Sequence, residues 1–387
     1  MKKTDKSKAL KSKLKVDFNK KNIIVISAVV VLVFLSFIVY GMYDAGFFTA
    51  YSDTAGGDSS VISDNKSVKF TGNDIITVES FSSKMFVLTE KLLVCLEPNG
   101  DVRYTKVHNY SNPAVSISGK YGVLFNRNSQ EYMIFTSKGI VFEGRTEEEL
   151  DILTASVNSD GAVALSTKSN DSACRVYLYN KKGEKKYAWS CGEEYVVCLD
   201  ISSNSKKIVC GAIGAEKGEI LSKTYLLDIF KDTAQCEFDE KGNGIVSVKL
   251  KGKKIVSVFL DERLIYDTLS AKGAAEKSKY ASSALCTYTD SSGNSAVVTE
   301  SLSGFGTSDC TVYTDDNKVM YTVSVDGKGT DVILKGKKAY IACDDTVYET
   351  AKGEVKNSFE ADFNIKGIVI CKGKVFVYSS GILTRLR

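Results

Sequence analysis

The sequence predicts an all-β fold, an eight-bladed β-propeller behind one N-terminal transmembrane helix, with a seven-bladed ring as the nearer alternative. Three observations carry this. Eight short turn signals, at Ser83, Gly119, Gly161, Ser205, Gly252, Gly293, Gly336 and Gly373, recur at intervals of 36, 42, 44, 47, 41, 43 and 37 residues. A second series, at Gly100, Gly139, Gly183, Asp232, Gly273, Asn317 and Gly353, keeps the same period. Each turn lies between short runs rich in Val, Ile, Tyr and Phe, and a period of roughly 40–45 residues with several strands per unit is that of propeller blades.

In chain order, residues 1–22 carry nine Lys against Asp5 and Asp17, a charge of +7 that leaves the rest of a +4 chain at −3. A nucleic-acid-binding domain needs a basic excess, and this balance excludes one. Leu10, Leu14 and Phe18 would line one side of a short helix, but the tail reads first as a topology signal. No charge occurs between Lys21 and Asp44. The 21 residues 23–43 would span about 31 Å as a helix at roughly 1.5 Å per residue, which matches a hydrocarbon core of about 30 Å. Lysines before it and an aspartate after it put the N-terminus in the cytoplasm and the remainder outside. The run is too long for the apolar part of a cleaved signal, and no small-residue cleavage site follows. Residues 44–66, with the Gly/Ser-rich stretch 53–60, read as a flexible stalk.

From Ser67 each unit reads as strands A to D. Val248–Leu250, the turn 251–254 and Ile255–Leu260 make one A–B hairpin; Val332–Leu334 with Ala339–Ala342, and Ile368–Cys371 with Val375–Tyr378, repeat it. Glycine supplies the positive φ that a tight hairpin requires, and the flanking lysines stay solvated. Val176 and Leu178 alternate with Tyr177 and Tyr179, the period of a strand with two distinct faces. The second series is one member short, because the chain ends after a third strand at 382–386. Residues 67–70 are the right length to supply the missing outer strand, so the ring of 67–387 should close through its N-terminal strand.

The segment 177–189, with its Tyr177, Tyr179, Gly183, Tyr187 and Trp189, resembles the repeat of quinoprotein-type propellers, including the outer-membrane assembly lipoprotein propeller. The turns 157–164 and 201–209 resemble those of Tol-type and WD-type propellers. The whole layout resembles an uncharacterised family of bacterial single-pass membrane-anchored propellers. The resemblance implies a fold and brings no catalytic residue.

The chemistry is sparse. His108 is the only histidine, which removes multi-histidine metal sites; it reads as a surface or linker residue. Trp189 is the only tryptophan, unlike the tryptophan-bearing repeats of quinone enzymes, and is expected to pack between blades. Ten cysteines lack any C-x-x-C spacing and read as small core residues. Cys174 with Cys191 and Cys198 with Cys210 are spaced to face one another across hairpins. The acidic groups 147–149, 315–316 and 344–345, and the turn 290–294, read as solvated loops rather than calcium or catalytic pairs.

No catalytic, cofactor-binding or metal-binding residue is therefore expected, and no cofactor. The function expected is a non-enzymatic interaction or envelope-assembly scaffold on the outer face of the cytoplasmic membrane. Its partners would be an envelope protein or peptide, and the membrane through residues 23–43, without nucleic acid. Two alternatives remain: a glycan-acting enzyme with channel-facing carboxylates, or a ligand-binding sensor. Acidic groups converging with Arg or Tyr at the channel would favour the enzyme; an apolar patch on a loop face would favour binding.

Overall fold

Seven sheets of four strands and one of five build the domain, in a computed structural model that describes residues 60–63, 67–81, 83–269 and 274–386. The basic tail and the helix expected at 23–43 lie outside the described residues. Blades 1 to 7 are continuous pieces of chain, spanning 75–107, 113–145, 152–191, 195–241, 245–279, 284–326 and 329–360. Each is an antiparallel sheet whose strands pair in chain order, A through D. Strands A of successive blades pack against one another and line the central channel, which leaves strands D at the rim.

Blade 8 takes three strands from the C-terminus (Gly367–Cys371, Lys374–Tyr378, Ile382–Arg385) and the rest from the beginning of the domain. Ser67–Thr71 pairs with Ile382–Arg385, Val68 opposite Leu383, so the ring closes as the strand count requires. Of the segment 44–66 expected as a stalk, only residues 60–63 are described, and they belong to the sheet. Ser60–Ser63 forms a fifth strand against Ser67–Thr71, because the alternating run beginning at Val61 finds an unpaired edge to occupy.

All eight turns of the first series are A–B hairpins, and the residue named in each has positive φ, from 58° at Ser205 to 85° at Gly161 and Gly293. Antiparallel strands put the A–B and C–D turns on one side of the disc, called the hairpin face. The B–C turns and the D–A connections between blades lie on the other, the crossover face. Adjacent A–B turns touch: the Asn158 side-chain amide of blade 3 donates to the carbonyl of Ser202 (2.9 Å) and the hydroxyl of Ser205 (2.7 Å) in blade 4.

Strand alternation sends one row of each blade into the seam with the blade before it and the other row into the seam after it. Tyr177 and Tyr179 join the seam between blades 2 and 3, while Val176 and Leu178 join that between blades 3 and 4. Trp189 packs in the latter seam with its ring 5.1 Å from Tyr225 of blade 4. Among the described residues seven apolar clusters are thus each shared by two neighbouring sheets, and an eighth, Val256, Val258 and Ile265, comes from blade 5 alone.

The ten cysteines are free thiols, eight of them buried. Cys174 stands opposite Cys191 as their spacing suggests. Cys198 and Cys210 do not pair: Cys198 opposes Gly211 and Cys210 opposes Leu199. Ile201 pairs with Ile208 and the Ser202 amide donates to the Lys207 carbonyl, so an even number of residues separates the paired positions; this moves the pairing by one and turns the two thiols toward different seams.

Candidate functional site: the central channel and the faces around it

Strand A of each blade has one row of side chains that no other sheet covers, and these rows form the channel wall. At the hairpin face the channel widens into a cavity of about 1050 Å³ bordered by Lys249, Tyr288, Asp290, Asn294, Lys335 and Lys337. A deeper lobe of about 260 Å³ continues between blades 1, 6, 7 and 8. Glu79 and Tyr288 border both.

Of the carboxylates that border this space, Asp290 and Asp315 stand at the mouth, and the two deeper ones, Asp331 and Glu79, have different duties. Asp331, on strand A of blade 7, accepts backbone N–H bonds from Val332 through Oδ1 and from Ile368 on strand A of blade 8 through Oδ2, both at 2.8 Å. Burial raises its pKa to about 6 against the lowering effect of those amides. Asp200 repeats the device three blades away, accepting from the Leu250 amide and the Lys249 ammonium at 2.8 Å each. These aspartates fasten one inner strand to the next.

Glu79 accepts from no such amide. Its carboxylate reaches channel solvent while protein walls it in on every side. That enclosure raises its pKa to about 7, with a further push from Asp331. Lys366 closes the floor by donating to the Ile75 carbonyl at 2.6 Å. Among the described residues the depth of the channel therefore offers one free acid near neutrality rather than a working pair. Among the described residues no group of three or more His, Cys, Asp or Glu is arranged to hold a metal ion.

His108 lies in the connection between blades 1 and 2, as a linker residue, but it is buried rather than on the surface. Its Nε2 lies 3.2 Å from the Thr89 carbonyl, its ring packs beside Tyr110, and burial lowers its pKa to about 4. The acidic groups are loop charges as expected. Glu147 pairs with Lys185 and Asp316 with Lys254, while Asp290 accepts the amides of Ser292 and Asn294 in its own turn.

Sequence reasoning passed over four features. Glu79 and Asp331 sit in ordinary strand patterns, and only the register reveals that they face the channel. Arg263 is fully buried between blades 5 and 6. Glu194 is buried between blades 3 and 4, where burial raises its carboxyl but Lys223 (2.9 Å) and Tyr225 (2.9 Å) outweigh that and hold it below the usual range.

The fourth is a surface. The B–C loop of blade 6, 301–306, presents Leu302 at 78% and Phe305 at 108% relative exposure. Exposed Leu260 of the neighbouring B–C turn lies on the same face. The two turns are joined through the blade 5–6 connection, where the Leu260 carbonyl accepts from Ala284 and the Glu300 carbonyl from Ser282.

Known structures share the architecture. BamB from Moraxella catarrhalis is 9% identical, with 84% of this chain and 99% of that one covered at a TM-score of 0.54. The C-terminal WD40 domain of Sif2 is 13% identical over 84% and 96%, at 0.57. Sqt1 of Saccharomyces cerevisiae is 10% identical over 84% and 100%, at 0.60. Identities this low carry the fold alone. No curated protein matches the sequence. Residues 58–384 match the family of unknown function DUF5711, and the chain belongs to it.

Proposed function

We propose that this DUF5711 propeller is a non-enzymatic protein-interaction scaffold, held at the outer face of the cytoplasmic membrane by residues 23–43. The observation that carries the interaction reading is the apolar loop 301–306. A soluble surface gains nothing from a fully exposed Phe305 beside Leu302 and Leu260 unless a partner covers them, and an aromatic anchor ringed by polar residues is the usual centre of a protein interface. The BamB and WD40-domain likeness supports a platform of this kind by fold analogy only. The membrane placement rests on the uncharged 21-residue run and the lysines before it.

The glycan-hydrolase alternative has less support. It needs a second free carboxylate facing the first, and the Asp331 oxygens are already engaged by two backbone amides. A small-ligand site around Glu79 retains support from the enclosed lobe and the raised carboxyl.

The test places a photo-crosslinking residue at Phe305 in the full chain in cells. A single discrete adduct is expected there, lost on Leu302→Ser, with none from the same probe at Lys352 on the hairpin face. Equal or absent adducts at both positions would remove the scaffold reading. Protease protection of the propeller in intact spheroplasts would remove the placement.

A further inference from the structure

The folded part has a small net charge, yet the charges are sorted by face. Taking the eight A–B turns with the strand residues that bound them, there are twelve lysines and two acids, Asp160 and Asp290. Taking the D–A connections in the same way, there are ten acids against five basic residues. The A–B lysines surround one mouth of the channel, the C–D turns outside them carry both signs, and acids predominate in the connections on the opposite face.

Several of these lysines are uncommitted. Lys84, Lys254 and Lys338 pair with Glu97, Asp316 and Glu349. Lys251, Lys253, Lys335, Lys337 and Lys372 are exposed and have no acidic partner among the described residues. Neighbouring turns bring them together: the Lys335 ammonium lies over the Gly373 turn of blade 8, and the Lys251 stem beside the Gly293 turn of blade 6. The mouth between them holds Ser291, Ser292, Asn294 and Thr314, all hydrogen-bonding groups.

We propose that this lysine ring is a binding face for a linear polyanion, a flexible polymer bearing phosphate or phosphodiester groups. The inference deepens the scaffold reading by naming a second class of partner for the same propeller. Like charges held at such density repel one another and are relieved by a multivalent anion, whose released counterions supply the affinity. Among the described residues no large apolar side chain is exposed in the A–B turns that ring the mouth; Phe230 and Leu269, exposed on the same face, lie in C–D turns farther out. A folded protein partner would require an apolar centre, whereas a polyelectrolyte needs only spaced charge.

An anionic bilayer is the competing occupant, and the test below separates it from a soluble polymer.

The test uses the full chain in detergent, with long-chain inorganic polyphosphate as the probe at about 0.1 M salt. Binding is expected to fall steeply with salt, by a slope of about 0.7 per lysine engaged. Replacing Lys335, Lys337, Lys372 and Lys374 together by Gln should weaken it at least tenfold and flatten the slope by about 3. The same four changed to Arg should retain it. Lys217→Gln with Lys328→Gln, on the crossover face, should leave it within twofold, and an unchanged melting curve certifies each fold.

No binding, an unaffected four-Gln variant, or equal loss in the crossover-face pair would overturn the proposal. So would displacement of polyphosphate by phosphatidylglycerol vesicles at lower phosphate concentration, which would make the bilayer the partner. This readout is independent of the Phe305 crosslink and of topology, so its failure leaves the scaffold reading standing, and the reverse holds.

Discussion

The seam that closes the ring and the seam between blades 5 and 6 solve one problem by opposite means. Between blades 8 and 1, Val68, Phe70, Phe376 and Leu383 interlock with Ile75, Met85, Val94 and Leu96 in a continuous apolar core. Between blades 5 and 6 the apolar cluster shrinks to Val256, Val258 and Ile265, and Arg263 takes over. Its Nε donates to Ser295 Oγ (3.0 Å), Nη1 to Asn317 Oδ1 (2.6 Å) and Nη2 to the Gly293 carbonyl (2.7 Å). Asn317 donates back to the Arg263 carbonyl at 3.1 Å, and the guanidinium lies 5.7 Å from the Tyr313 ring centre. Burial lowers the Arg263 pKa only to about 10, so it stays charged at neutral pH without a carboxylate. The first seam is held by area removed from water; the second depends on every polar atom keeping its partner.

The comparison breaks most severely at the closing strand. Deleting residues 60–71 strips Val68 and Phe70 from the core and opens an edge on blade 8, with an expected loss of about 5 kcal/mol or more. Thermal unfolding followed by Trp189 fluorescence measures it; an unchanged midpoint would deny that these strands close the ring. Arg263→Ala is next, at about 3–5 kcal/mol, because it leaves Asn317 Oδ1 and the Gly293 carbonyl buried without that donor. Arg263→Met restores volume but no donor and should recover only part of this in denaturant titrations. Full recovery would mean that the seam needs only filling.

A third seam sharpens the contrast through pH. His108, near blade 1–2 contacts, has a folded pKa of about 4, below the unfolded value of about 6.5. The unfolded chain then binds more protons between these values, so this contribution is complete above about pH 6.5 and is lost as pH falls toward 4, by roughly 2–3 kcal/mol. Glu79 and Asp331, raised to about 7 and about 6, act with the opposite sign in that window. The difference between wild type and His108→Gln therefore isolates the histidine, and parallel pH profiles for the two would count against its burial as neutral imidazole. The smallest effect belongs to Asn317→Gly. Asn317 has φ of 62°, which glycine adopts freely, so only the bonds to Arg263 are removed, at about 1–2 kcal/mol.

Blade number, hairpin positions and ring closure were legible because turns impose residue types locally: Gly252, Gly336 and Gly373 mark left-handed backbone whatever surrounds them. Trp189 between blades and the Cys174–Cys191 facing pair followed from strand period and spacing. The Cys198–Cys210 expectation failed because the hairpin pairs Ile201 with Ile208 and so turns about a point between residues rather than about Asn204, a detail that composition does not encode. Leu302 and Phe305 look like core residues in the chain; only the length of the 301–306 loop puts them outside.

Charge shows the same division. Summed along the chain beyond residue 22, the charges nearly cancel. Folding places turns that are some forty residues apart side by side on one face, and the lysines accumulate there. What the sequence determined alone is the succession of strands and turns, because φ preferences and two-residue alternation act between neighbours in the chain. Which side chains meet across a seam, which acid faces the channel and which charges share a face were decided by the closed ring, because those relations depend on register and on neighbours a whole blade away.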